Sequence, residues 1–162
     1  MNKAFHSFLV SALFVFMASS ALAMDAFPIG PDATLTPGAL CKTPSTHRYP
    51  ENIAYCERNV DSRQKAQIYQ AYDEIGYRTR SMKRQNFKID HYIPLCMGGS
   101  NESANLWPQH ETVYSITDPL EQKLCEKMSE GVLSQKDAVE LIKKAKADLS
   151  LADGIMEEMQ AL

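Results

Sequence analysis

Two short strand-like segments around a glycine pair constrain the fold of this chain more than any other feature. Residues 87–110 read FKIDHYIPLCMGGSNESANLWPQH. Residues 87–89 alternate apolar and polar and predict a strand, residues 98–101 predict a turn, and residues 105–107 predict a second strand. Pro108 is expected to end that strand, because proline cannot donate a hydrogen bond to a β-ladder. The segment therefore predicts two strands joined by a loop.

Helical patterns lie on both sides of this segment. Residues 61–75 carry apolar side chains three to four positions apart, which predicts a first helix with Asp61 or Ser62 as its cap and Gly76 as its stop. Residues 118–121, Asp-Pro-Leu-Glu, predict the start of a second helix with its aspartate as the cap. Ser134 and Asp137 predict a capping box for a third helix, and the C-terminal residues predict a short helix or a frayed tail. We expect a mainly helical α+β fold in a single domain.

The N-terminus has the pattern of a secretory signal peptide. A basic start is followed by an apolar run and by Ala21-Leu22-Ala23, which predicts cleavage before Met24. An uncleaved anchor is the alternative, although the apolar run is short for a bilayer crossing. Residues 24–60 are rich in proline and predict an extended N-terminal arm. We therefore expect a signal peptide at 1–23, the arm at 24–60 and the main domain at 61–162, in a secreted or periplasmic protein.

The four cysteines predict disulfide bonds. An even number of cysteines in an exported chain favours two bridges, and sequence alone allows three pairings. We favour Cys41–Cys56, which closes a local loop, together with Cys96–Cys125, which ties the glycine loop to the helix that follows. A structural zinc site is less favoured, because no CxxC pair supplies ligands at short spacing.

The segment also resembles a known enzyme family. Asp90-His91 is followed fourteen residues later by Asn105-Leu106, and this arrangement resembles the HNH nucleases, whose ββα-metal finger cuts phosphodiester bonds with one divalent cation. The longer pattern DHxxPLxxGGxN…NLWPQ is similar to a secreted branch of that group. The resemblance implies a finger over about residues 86–128 and covers only a part of the chain.

Phosphodiester hydrolysis requires a base, a cation and a held phosphate. His91 is the expected general base, because a neutral imidazole is available near neutral pH. Asn105 is the expected partner that orients the His91 ring. Asp90 is the expected metal ligand, since a carboxylate beside the base places the cation near the same phosphate.

The third position of the pattern departs from the family. Nine residues after Asn105 the family usually has a histidine or asparagine, whereas this chain has Tyr114. His110, one helical turn earlier, is the best substitute as a metal ligand. Gln109, Glu111 and Asp118 are further alternatives, and Asp118 is more simply explained as a helix cap.

The charge of the chain is unevenly distributed. The formal net charge is −3, which is not typical of a nucleic-acid-binding protein. A run without acidic residues nevertheless leads directly into the motif, and next to a phosphodiesterase site it predicts a phosphate-binding patch rather than a solvated loop. Its basic residues are Arg78, Arg80, Lys83, Arg84 and Lys88.

These observations predict an exported, metal-dependent HNH-type endonuclease with little sequence preference. The expected substrate is DNA, with RNA as an alternative, and the expected state is a monomer. The expected cation is Mg²⁺, with Mn²⁺, Ni²⁺ or Zn²⁺ as alternatives if His110 is a ligand. Two rival hypotheses stay open: an exported binding protein that keeps the finger without catalysis, and a nuclease toxin or effector controlled by an immunity protein.

Overall fold

The computed structural model describes residues 26–162, so the predicted signal peptide and its cleavage site lie outside the described residues. The fold is α+β, as expected, and the described chain contains two small antiparallel sheets. The strands are β1 (Thr46–Arg48), β2 (Ile53–Tyr55), β3 (Phe87–His91) and β4 (Leu106–His110), and the α-helices are α1 (Ser62–Glu74), α2 (Glu111–Ser129), α3 (Gln135–Ala147) and α4 (Ala152–Ala161). Among these helices, none combines the length and the apolarity needed to cross a membrane.

The N-terminal arm contains a β-hairpin that the sequence did not predict. Strands β1 and β2 pair antiparallel, with Thr46 opposite Tyr55 and Arg48 opposite Ile53. The connecting turn holds Tyr49 and Asn52 at positive φ values of 64° and 58°. The arm also joins the main body, because Leu40 forms an isolated bridge with Gly99.

Strand β4 extends through Pro108, so the expectation that this proline ends the strand is wrong. Pro108 lies opposite Ile89 in β3. The Tyr92 amide donates to the Asn105 carbonyl at 2.8 Å, and hydrogen-bonded pairs alternate along an antiparallel ladder. The pair of Ile89 and Pro108 is therefore a non-hydrogen-bonded one. The proline nitrogen points away from β3, where a missing N–H costs no ladder bond.

Helix α2 begins at Glu111, seven residues before the predicted start, and Asp118 lies inside it rather than at its cap. His110 is the cap, since its Nδ1 accepts from the Thr112 amide at 3.3 Å. Pro119 leaves the carbonyl of Ser115 without its helical partner. Both residues are exposed, so water can satisfy that carbonyl and the helix continues.

Several local predictions are confirmed. Helix α1 is capped by Asp61, which accepts from the Gln64 amide at 2.7 Å, and the helix ends just before Gly76. The Ser134 hydroxyl caps α3 by accepting from the Asp137 amide at 3.1 Å. The C-terminal residues form α4.

Both favoured disulfides are confirmed: Cys41 is bonded to Cys56, and Cys96 is bonded to Cys125.

Two clusters of buried apolar residues form the core. One lies among α2, α3 and α4 and includes Leu124, Ile142 and Met159; the other lies between α1 and the β3–β4 pair and includes Ile68, Tyr72 and Trp107. The β3–β4 pair thus packs against α1 in the second of these clusters.

Candidate active site

The loop that follows His91 is fixed by Asn105. The Asn105 Oδ1 accepts from the Ile93 amide at 2.9 Å, and its Nδ2 donates to the carbonyls of Ile93 and Ser100, each at 2.9 Å. Gly99 allows the close approach, because a Cβ there would lie 1.8 Å from the Ile93 carbonyl oxygen. The side chain of Asn105 is therefore committed to the loop backbone. The predicted contact between Asn105 and the His91 ring is not made.

Asn101 makes that contact instead. Its Oδ1 lies 3.1 Å from His91 Nε2. The same oxygen accepts from the Asn59 amide at 3.2 Å, while the Asn101 Nδ2 donates to the Glu57 carbonyl at 2.7 Å. These two backbone contacts fix which end of the amide faces His91. Because an amide oxygen only accepts, His91 Nε2 must carry the proton, which leaves Nδ1 as the basic nitrogen.

His91 is neutral at neutral pH. Burial lowers the pKa of His91 to about 4, although the hydrogen bond that His91 donates to Asn101 and the charge of Asp90 act in the opposite direction. An uncharged imidazole with one unprotonated nitrogen is the form that a general base requires.

Three carboxylates meet beside strand β3. Asp90 lies on β3, and Asp118 and Glu121 lie three residues apart on one face of α2. One oxygen from each comes within 4.8 Å of the other two. The early start of α2 is what brings Asp118 here, since a helix beginning at Asp118 would use this side chain as its cap.

Two lysines neutralise most of this charge. Lys88 Nζ lies 2.7 Å from both oxygens of Asp118 and 3.2 Å from Asp90 Oδ2. Lys146 Nζ donates to the His91 carbonyl at 2.6 Å and lies 3.2 Å from Glu121 Oε2 and 3.9 Å from Asp90 Oδ2. Three carboxylates face two ammonium groups, so the fully ionised cluster keeps one net negative charge.

The charges affect the two buried carboxylates differently. Burial raises the pKa of Asp90, but the positive charges of Lys146 and Lys88 outweigh it and hold that pKa below its ordinary value. Burial also raises the pKa of Glu121, and there Lys146 does not compensate, so that pKa lies above its ordinary value. Asp90 is therefore held in its ionised form, whereas Glu121 takes up a proton more readily than an ordinary glutamate does.

The donor set fits a hard divalent cation. Carboxylate oxygens are the ligands that Mg²⁺ and Mn²⁺ prefer. Among the described residues, Asp90 Oδ2 is buried and accepts no hydrogen bond, although both lysines lie close to it. A cation bound by Asp90, Asp118 and Glu121 would have to displace Lys88 from the carboxylate of Asp118.

Sequence reasoning missed Lys146, although a signal was present. Its side chain has no exposed surface, yet no role was predicted for it. Lys146 follows Ile142 by four positions and Ala138 by eight, which places it on the same helix face as those buried residues. A lysine at such a position needs a buried acid as its partner.

His110 is not brought together with Asp90. It lies opposite Phe87 in the β3–β4 register, and successive residues of a strand point to opposite faces, so His110 and Asp90 are on different faces of the pair. The His110 ring stacks on Phe27 at a centroid distance of 4.0 Å. Tyr114, at the position where the family usually has a ligand, lies with its ring centroid 4.7 Å from Lys88 Nζ.

The predicted basic patch is largely engaged within the protein. Arg80 Nε pairs with Asp73 at 2.8 Å. The guanidinium of Arg84 stacks over the Tyr69 ring at 4.0 Å and donates to its hydroxyl, and Lys88 belongs to the carboxylate cluster. The other two members, Arg78 and Lys83, are exposed.

Comparison of the chain with protein-family models, with curated proteins and with solved structures found no match. The resemblance to the HNH nucleases therefore rests on the motif residues themselves. What the chain can do has to be inferred from the geometry around His91 and Asp90.

Proposed function

We propose that this protein is an exported, metal-dependent endonuclease of the HNH type. It hydrolyses phosphodiester bonds of DNA, with RNA as a second substrate, and has little sequence preference. One observation carries the proposal: two adjacent residues of β3 supply the two chemical roles. His91 is a neutral imidazole with a defined basic nitrogen, and Asp90 belongs to a buried cluster of carboxylates.

In this mechanism His91 Nδ1 takes a proton from a water molecule. The resulting hydroxide attacks the phosphorus atom, the bond from phosphorus to the 3′ oxygen breaks, and that oxygen leaves with a proton from solvent. As the HNH resemblance implies, the products are a 5′-phosphate and a 3′-hydroxyl. Asn101 selects the reactive tautomer of neutral His91, because it accepts a hydrogen bond from the proton on Nε2.

Asp90, Asp118 and Glu121 are the residues that would hold the metal. The bound cation supplies electrostatic stabilisation of the charge that develops on the phosphate and on the leaving oxygen. Their all-oxygen donor set favours Mg²⁺ or Mn²⁺ over Zn²⁺ or Ni²⁺. The net negative charge of the cluster favours binding, and Lys88 and Lys146 stay close enough to limit repulsion among the carboxylates.

A second candidate function has one specific observation in its favour. Lys88 Nζ lies 2.7 Å from both oxygens of Asp118, so an ammonium group already occupies the position that a cation needs. If this contact persists, the domain is a scaffold for binding rather than an enzyme. The two disulfides are compatible with export in both cases.

A nicking assay distinguishes these functions. The oxidised protein, purified after export from an expression host, is incubated with supercoiled plasmid in EDTA, and Mg²⁺, Mn²⁺, Ni²⁺ or Zn²⁺ is then added back. We expect Mg²⁺ or Mn²⁺ to restore nicking, and we expect His91→Gln and Asp118→Asn to abolish it. His47→Gln is the matched control, because His47 is exposed on β1. If no added metal produces cleavage of DNA or RNA, the result favours the binding scaffold.

A further inference from the structure

An open polar groove lies beside His91 on the side of the N-terminal arm. It has a volume of about 570 Å³, and it is bounded by the segment around Cys56 and by the turn that carries Asn101. The Asn101 side chain contacts His91 directly. Asn101 therefore lines the groove and also contacts the proposed general base.

Arg58 is the cation of this groove that is best placed to bind an anion. Its Nη2 donates to the Ile89 carbonyl at 3.0 Å, which anchors the guanidinium to the backbone of β3. A guanidinium has five N–H donors in a rigid fork, and one contact with a carbonyl leaves donors for a ligand. Within residues 26–162, Arg58 makes no ion pair with a carboxylate.

The other charged residues that line the groove are Lys42, Glu57 and Glu102, and all three are exposed. Lys42 pairs with Glu102 at 3.6 Å, and both side chains are at least half exposed. An exposed pair of this kind is weak and can open when a ligand arrives. The disulfide between Cys41 and Cys56 holds the two sides of the rim together, with Lys42 directly after one cysteine.

We propose that this groove binds the sugar-phosphate backbone of the nucleic-acid strand, with Arg58 on a phosphate that flanks the scissile one. This inference rests on the proposed nuclease function. It assigns substrate binding to the arm rather than to the basic run at residues 78–88, where three of the five cations already have partners within the protein.

The lining of the groove also indicates how far binding depends on the nucleotide sequence. The described residues that line it include no aromatic side chain, so bases have no ring on which to stack. Contacts with phosphates position a strand but carry no sequence information. The groove is therefore suited to sequence-independent binding.

The test measures binding without catalysis. The affinity of a fluorescein-labelled DNA strand, and of its duplex, is followed by anisotropy in EDTA for the wild type, Arg58→Gln, Arg58→Lys and the control Arg63→Gln. Arg63 is exposed on the first turn of α1 and does not line the groove. We expect Arg58→Gln to raise Kd about tenfold, since a hydrogen bond to a charged group is lost, and to reduce the single-strand salt slope by about 0.7.

Arg58→Lys should keep much of the salt dependence, and Arg63→Gln should keep the wild-type Kd. Equal Kd values for the wild type and Arg58→Gln would overturn the proposal, and nicking by the same preparations shows whether the nuclease function survives that result. If the wild type binds through Arg58 but never nicks, the groove is supported and the nuclease function fails. A thermal melt of each variant excludes unfolding as the cause.

Discussion

Lys146 gives the sharpest test of the buried charge cluster. Replacing it with methionine keeps the length and packing of the stem, so little apolar contact is lost. The substitution removes the donor to the His91 carbonyl at 2.6 Å and the partner of Glu121 at 3.2 Å. Removal of one partner from a buried ion pair costs about 3–5 kcal/mol, because the other charge stays buried without compensation. We therefore expect Lys146→Met to lower the free energy of unfolding by about 4 kcal/mol.

Guanidinium unfolding at pH 7 measures this loss. Trp107 is the only tryptophan of the chain and is fully buried, so its fluorescence reports unfolding without a label. Lys144→Met is the matched control: Lys144 is on the same helix and pairs with Glu140 at 2.8 Å, but both side chains are more than half exposed. Its loss should be much smaller than that of Lys146→Met, because a solvent-exposed helix pair contributes little to stability.

The loss should also depend on pH. Without Lys146, the pKa of Glu121, which burial already raises, rises further. A carboxyl with a raised pKa in the folded state stabilises the fold below its unfolded pKa and loses that contribution as the pH rises through its folded pKa. The deficit of Lys146→Met should thus be smaller at pH 5 than at pH 8. A loss below about 1 kcal/mol, or one equal to that of Lys144→Met, would refute the reasoning.

Three further predictions follow from local geometry. Gly154→Ala should raise the free energy of unfolding by about 1 kcal/mol in a denaturant melt, because a Cβ there meets nothing within 4 Å on α4. Gly99→Ala should fail to give a folded protein by circular dichroism, because its Cβ would lie 1.8 Å from the Ile93 carbonyl oxygen; a native melt would contradict this. Serine at both Cys96 and Cys125 should lower stability by about 3–4 kcal/mol, measured against the oxidised wild type.

The features that the sequence predicted correctly depend on short stretches of chain. Asp61 caps α1 through an amide three residues away, and Gly98, the first residue of the predicted turn, has a left-handed φ of 81°. Ser134 caps α3 in the same local way. Such contacts need no information about the rest of the fold, since the side chain and its partner lie within one turn.

The features that the sequence missed depend on tertiary packing. Asp118-Pro119 has the local chemistry of a helix start, but α2 begins earlier, with His110 as its cap. The helix then packs against α3 and α4. Lys146 is buried only because α3 packs where Asp90 and Glu121 can form ion pairs with its ammonium group. Neither outcome can be predicted from a window of a few residues.

The numbers of acids and lysines in the charge cluster help to distinguish a structural role from a functional one. Buried ion pairs are weak evidence for stability, because apolar residues of similar size often serve a fold equally well. A cluster with equal numbers of acids and lysines could be explained as an ion-pair network that has only a structural role. Here the acids exceed the lysines by one, and Asp90 Oδ2 accepts no hydrogen bond from any described residue. An excess carboxylate beside a neutral histidine costs stability unless Glu121 takes up a proton or a cation joins the cluster. The arrangement is therefore compatible with the metal site that we propose, and a metal titration followed by the Trp107 melt tests it.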